Sequence, residues 1–173
     1  TPKTRSDVVD LLVTYMEMSA PDSAPPKRAP LPGAVVARER LDPESYLPLY
    51  RAVGEPVNWD QRLRMPLAEL RAFLQDTSTH IYVMRLDGRP IGLCEFAGVG
   101  GQHVELTHFG LVPDEHGRGL GSYLLDSALR AVWSTRPRRV WLHTDTCDDA
   151  RAQPTYGKAG FVVFDRRVET FPD

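Results

Sequence analysis

The stretch "DEHGRGLGSYLLDSALRAVW", residues 114–133, sets glycines at positions 117, 119 and 121 directly ahead of an apolar helical pattern. Leu120, Leu124, Ala128 and Val132 recur at four-residue intervals with Leu125 and Leu129 beside them, which gives the helix a broad buried stripe. Glycine costs about 1 kcal/mol against alanine inside a helix, so three of them at its mouth need a reason. The first-turn N–H groups of a helix have no intrahelical partners, and the aligned peptide dipoles put about half a positive charge there. Without Cβ atoms in the way, an anion can reach those groups. The turn therefore predicts a loop that wraps a phosphate, best a diphosphate, where a strand hands over to a helix. A chain with this junction needs a sheet for the helix to pack on.

Two common phosphate fingerprints do not fit. A dinucleotide loop reads G-x-G-x-x-G, and from Gly117 its last glycine falls on Ser122. The nucleotide P-loop ends in Gly-Lys-Ser/Thr, which is absent here.

The 173 residues suit one domain, with residues 1–33 as an additional N-terminal strand and a Pro-rich connection. A net charge of -2 without a basic run gives no footprint for nucleic acid or an anionic membrane. Two cysteines, Cys94 and Cys147, lack metal-ligand spacing, so neither a disulfide framework nor a zinc site is expected, and a reducing cytoplasm fits. No apolar run reaches the ~20 residues of a membrane span, and no signal-peptide pattern opens the sequence.

Residues 19–34, "SAPDSAPPKRAPLPGA", are too rich in proline for a helix interior or a central strand and read as a surface connection. Ahead of them "LLVTYMEM" has a strand pattern, able to pair within the sheet or across a homodimer. "AVVARERL" follows as a short strand. Asp42 as cap and Pro43 at the first helical position then start a helix that Pro48 should shorten or kink. "PLAELRAFLQ" is a second helix with Leu67, Leu70 and Leu74 on one face. Asp87-Gly88 between two β runs is the clearest hairpin signal, and "HVELTHFGLV" is a third run. After the glycine-led helix come the strand "RRVWLHTDT", a short helix closed by Gly160, and "FVVFDRRVETF" as a last strand or pair. This order predicts an α+β fold with a mixed sheet.

"HGRGLG" resembles the R/Q-x-x-G-x-G/A signature of the GNAT superfamily of acyl-CoA N-acyltransferases, and "YGKAGF" resembles the Tyr-x-x-x-Gly-Phe that closes their fourth helix. With the hairpin and strands between them in the family's order, the resemblance covers roughly residues 34–165. It implies a mostly antiparallel sheet flanked by helices, with the family's fourth and fifth strands splayed to admit the pantetheine arm of acetyl-CoA. It implies coenzyme contacts at Phe109, Leu111, His116, Gly117, Arg118, Gly119, Leu120, Gly121 and Ser122, with main-chain N–H groups on the diphosphate and that of Leu111 on the thioester carbonyl. His116 stands where Gln or Arg is usual, and Asp149 where many relatives carry an Asn that touches the coenzyme arm. A carboxylate cannot donate a hydrogen bond as that amide does.

Transfer of an acyl group to an amine poses two proton problems. A primary amine with a pKa near ~10 must lose a proton before it attacks, and a thiolate of pKa about 8.5 leaves faster when protonated. By the resemblance Glu105 is the candidate base and Tyr156 the candidate acid. Strand alternation puts Glu105, Thr107, Phe109 and Leu111 on one face and His108 on the other; His103 and His108 are read as structural residues, with His108 as the alternative base if Glu105 points away. In the segment 54–64, "GEPVNWDQRLR", Asn58 and Trp59 are candidate acceptor-pocket residues suited to a small organic amine. Cys147 has no identifiable activating neighbour, so direct transfer in a ternary complex is the expected route, with no metal. Protein or peptide acetylation is the alternative activity, and a non-catalytic coenzyme A-binding module the second.

Overall fold

The computed structural model describes residues 8–146 and 148–172, the side chains at 8, 9, 171 and 172 excepted; Cys147 and the first seven residues lie outside the described residues. In chain order the elements are β1 (Val8–Met18), β2 (Ala34–Arg38), α1 (Pro43–Gly54), α2 (Leu67–Gln75), β3 (His80–Leu86), β4 (Arg89–Ala97), β5 (His103–Leu111), α3 (Leu120–Trp133), β6 (Arg139–Asp145), α4 (Ala152–Ala159) and β7 (Val162–Pro172). Asp42 caps α1 by accepting from the Ser45 N–H at 2.9 Å. Asp87 and Gly88 both take positive φ, 52° and 84°, which closes the β3–β4 hairpin in the sense that matches strand twist. Gly160 ends α4 at φ 112°.

One seven-stranded sheet runs in the order β2-β3-β4-β5-β6-β1-β7. Every pair is antiparallel except β5–β6. The sheet is thus mixed and mostly antiparallel, with helices on both faces. On one face α3 buries Leu120, Leu124, Leu125, Ala128, Leu129 and Val132 against residues including Met84, Ile91, Cys94 and Phe96. Each such leucine contributes roughly 1.5–3 kcal/mol by leaving water. On the other face Tyr46, Leu49, Tyr50 and Val53 of α1 and Leu70 and Leu74 of α2 cover Ile81, Val83 and Leu93.

Three expectations are refined. Pro48 neither stops nor shortens α1, which runs through it; the proline faces solvent, where water can satisfy the carbonyl it leaves free. Leu67 is exposed at the start of α2, while Leu70 and Leu74 are buried. The last apolar run is a single strand, β7.

The N-terminal strand pairs within the sheet, between β6 and β7, with Val13 opposite both Asp145 and Arg167. The proline-rich connection then crosses α3 to reach β2 at the far edge. Along the way the Lys27 N–H donates to the Asp126 carboxylate at 3.0 Å, and Arg130 donates to the Ala24 carbonyl at 2.7 Å. None of the described helices is long and apolar enough to cross a membrane.

Candidate active site

The β5–β6 pairing covers only His103–Glu105 opposite Arg139–Trp141. Beyond that the strands part, β5 continuing to Leu111 and β6 to Asp145, and a cleft of about 1240 Å³ opens. The segment between α1 and α2 forms one wall and brings Asn58 and Trp59 to it. Asn58 sits in the left-handed region at φ 61°. Trp59 packs where a Cβ on Gly54 would be 2.5 Å away, so the glycine makes room for the indole. Tyr15 of β1, together with His143 and Tyr156, lines the opposite side.

The glycine loop lies at one end of this cleft. Gly117 and Gly119 have φ of 79° and 77°, the region where a side chain is strained. Nothing stands within 4 Å of a Cβ position on Gly117, and only the Pro30 ring, at 3.8 Å, approaches that of Gly119. Leu120 begins α3 and no side-chain hydrogen bond caps its first turn, while a Cβ on Gly121 would meet Phe109 at 3.7 Å and Leu111 at 3.8 Å. An anion fits that cradle. His116 donates from Nε2 to the Leu111 carbonyl at 3.0 Å, and its Nδ1 accepts from Arg151 at 2.6 Å, with Asp149 at 3.6 Å. Arg118 is held by buried Glu115 at 2.7 Å, which also takes Arg89 at 2.8 Å. Main-chain N–H groups are therefore the least committed donors of the loop.

One feature of β5 departs from simple alternation. Glu95 pairs with His108 and Phe96 with Leu106, so Thr107 is an extra residue, a β-bulge. The bulge inverts the facing of everything after it. Val104, Leu106, Phe109 and Leu111 pack on the α3 side, whereas His108 and Gly110 turn to the α1 side, against Tyr50, Trp59 and Val53. Glu105, between Val104 and Leu106, lies on the same side as His108. The alternation that grouped Glu105 with Phe109 and Leu111, and set His108 opposite, is corrected by the inserted residue.

Glu105 is the last β5 residue paired with β6 and so marks the apex of the cleft. Its half-buried carboxylate lies 3.8 Å from His143 Nε2. Burial pushes its pKa up, against the pull of His143, Arg62 and His108. Tyr156 lines the cleft with its ring 5.7 Å from Phe109 and 5.9 Å from Phe161, and it is 6% exposed. Burial first, then the Asp148 and Cys94 charges, push the phenol well above its ordinary value. Tyr156 thus lines the cleft from the α3 face, whereas Glu105 lies on the α1 face where the β5–β6 pairing ends and is not among the lining residues.

The sequence reading missed Glu95. It is fully buried in β4 and accepts hydrogen bonds from Tyr46 Oη at 2.5 Å, Thr107 Oγ1 at 2.5 Å, Arg62 Nη2 at 2.8 Å and His108 Nδ1 at 2.9 Å. Burial would raise its pKa, but His108, Arg62 and Thr107 prevail and hold the carboxyl far below the usual range. The signal was a single carboxylate inside the apolar run "IGLCEFAG".

Comparison with known proteins gives this geometry a context. An uncharacterized N-acetyltransferase of Mycobacterium tuberculosis is 31% identical over 96 residues, which are 56% of this chain and 61% of that relative's length. In fold the chain is similar to a GNAT-family acetyltransferase of Novosphingobium aromaticivorans, with a TM-score of 0.61 at 19% identity over 96% of this chain and 68% of that one. It is also similar to an aminoglycoside acetyltransferase from an uncultured soil metagenomic sample, with a TM-score of 0.57 at 17% identity over 74% of this chain and 88% of that one. The family model described as Acetyltransferase (GNAT) family matches residues 43–161, from the start of α1 to Phe161, two residues past α4. With both glycine-loop and Tyr156 motifs inside that span, the chain belongs to the GNAT acetyltransferase family.

Proposed function

We propose that this protein is a cytoplasmic N-acetyltransferase that moves the acetyl group of acetyl-CoA to a primary amine of a small molecule, by direct transfer in a ternary complex. The observation that carries the reading is the parting of β5 and β6 over a cleft lined by His116, the residue before the glycine loop that leads into the uncapped N-terminus of α3. Such a cradle suits the coenzyme diphosphate, and the cleft suits its extended arm. The acceptor wall is aromatic, with Tyr50, Trp59 and Tyr15 around it, which favours a compact organic amine over a long peptide groove. The aminoglycoside acetyltransferase among the similar folds acts on a small molecule of that kind.

In this reading Glu105, at the apex, is the base that draws protons from the amine, directly or through intervening groups. Tyr156 is the acid: its raised pKa keeps the phenol protonated through the neutral range, ready to donate to the departing thiolate. Holding amine and thioester in one cleft supplies most of the rate advantage through orientation.

The test is thiol release from acetyl-CoA across a panel of primary amines, with acetyl-CoA binding followed by calorimetry. Amine-dependent release is expected. Binding without release on any amine would leave a coenzyme-binding module, and release only with peptides would move the activity to the protein-acetylating class.

A further inference from the structure

The site just proposed needs a group that touches the amine, and Glu105 at the apex is set back from the acceptor wall. We propose, resting on the acetyl-transfer reading, that His108, oriented by Glu95, takes the proton directly from the acceptor amine, while Glu105 is the proton's way out to solvent.

The geometry of the buried network carries this. Glu95 faces four donors, among them the Arg62 guanidinium, so it stays an anion and is not itself a proton acceptor. What it does to His108 is fix the tautomer: Nδ1 bears the hydrogen given to Glu95 at 2.9 Å, which leaves the lone pair on Nε2. That atom lies 3.3 Å from the Tyr50 hydroxyl. Tyr50 accepts the Arg62 N–H at 3.3 Å, so its own hydrogen is directed to Nε2. A 3.3 Å contact is long, and an entering amine can replace it. His108, Tyr50 and Trp59 all line the cleft, and the Trp59 ring packs 4.8 Å from the imidazole, which holds the ring plane. The groups around His108 are Glu95 from β4, Thr107 and Glu105 from β5, Tyr46 and Tyr50 from α1, and Arg62 and Trp59 from the segment before α2. A base that becomes an imidazolium here sits against a carboxylate already in place.

The proton and electron count closes. An N–H bond of the ammonium breaks, its proton joins Nε2, and the freed lone pair forms the C–N bond at the thioester carbon. The C–S bond breaks with its pair going to sulfur, which takes the Tyr156 proton. The adduct nitrogen then breaks a second N–H bond, whose proton restores the Tyr156 phenol, so of the two protons the ammonium loses one ends on the thiol by way of Tyr156 and the other leaves through His108 and Glu105 as H⁺.

The experiment compares wild type with His108→Gln, His108→Ala, Glu105→Gln and Glu95→Gln, following thiol release against pH with folding checked by circular dichroism. His108→Gln is expected to lower kcat about a hundredfold or more, with the KM for acetyl-CoA within a factor of two, and to remove the acid limb of the pH profile. Added imidazole should restore a measurable part of the rate to His108→Ala. Glu95→Gln, where folded, should move the acid limb to lower pH, because the imidazolium then lacks its carboxylate; a merely structural role would leave that limb in place. Glu105→Gln should cost less than His108→Gln. A His108→Gln enzyme within twofold of wild type, its acid limb intact, would overturn the assignment while acetyl transfer stood. Absence of thiol release by the wild type on every amine would bring down both.

Discussion

Tyr156 and Glu95 are both buried polar groups, yet burial acts on them in opposite ways. The Tyr156 phenol meets low dielectric and nearby negative charge, so its neutral form is favoured. Replacement by phenylalanine keeps the packing against Phe109 and Phe161 and removes the hydroxyl alone. Tyr156→Phe is therefore expected to lower kcat at least tenfold, with the melting temperature close to wild type, as steady-state kinetics and a thermal melt would show. Glu95 meets the same low dielectric, but Arg62 and His108 outweigh it. Breaking a buried pair leaves an uncompensated charge, so Glu95→Gln should cost about 3–5 kcal/mol of stability in denaturant unfolding. The sign of the pH dependence follows from the depressed carboxyl. Its contribution is full above the ordinary glutamate range, near 4.5, and is lost as pH falls toward the folded-state value, so Glu95→Gln should flatten the acid limb of stability. Glu105, raised by burial, runs the other way: the stability it adds is present at low pH and lost as pH rises through its folded-state value. Residue identity made Tyr156 and Glu105 legible, since their motif positions carry them. Glu95 was not legible, because its partners come from α1, the segment before α2 and β5, which only the folded chain assembles.

At the scale of elements, the α3 junction was readable and the β5 strand only partly so. Glycines at a helix mouth mark the turn locally, and Gly117 and Gly119 both take the left-handed φ that favours glycine. A Gly119→Ala change would force an L-residue into the left-handed region at about 1–2 kcal/mol, and it would place a methyl beside Pro30. It is expected to lower the melting temperature modestly and to weaken acetyl-CoA binding several-fold by calorimetry. The bulge at Thr107 has no such local mark. Its extra residue is accommodated because Thr107 bonds the Glu95 carbonyl at 3.1 Å as well as the carboxylate, a tie between strands that no single-strand pattern contains. One inserted residue turned His108 to the face that Glu105 shares. Pro48 teaches a similar lesson: α1 survives it because Tyr46, Leu49, Tyr50 and Val53 anchor the helix from the opposite face.

For the molecule as a whole, the alternating elements and the flanking helices followed from periodicity, but the place of β1 did not. No local signal tells an N-terminal strand to lie between two C-terminal ones. Its pairing with β6 and β7 is long-range, with Val13 opposite Asp145 and Leu12 opposite Val168. Among the described strands, β7 is hydrogen-bonded into the sheet through β1 alone. A chain from which residues 1–18 are removed is therefore expected to lose protection of the β7 amides in hydrogen exchange and to melt earlier, and an added peptide of residues 8–18 should restore part of both. Tyr15, which lines the cleft from β1, would leave with the strand, so acceptor KM should rise more than that for acetyl-CoA.

β1 is thus made before both of the strands it lies between. At synthesis rates of about 5–20 residues per second, an apolar "LLVTYMEM" waits on the order of ten seconds for its neighbours to be made. Throughout that interval it is an unpaired β segment, open to wrong pairings until β6 and β7 exist to flank it.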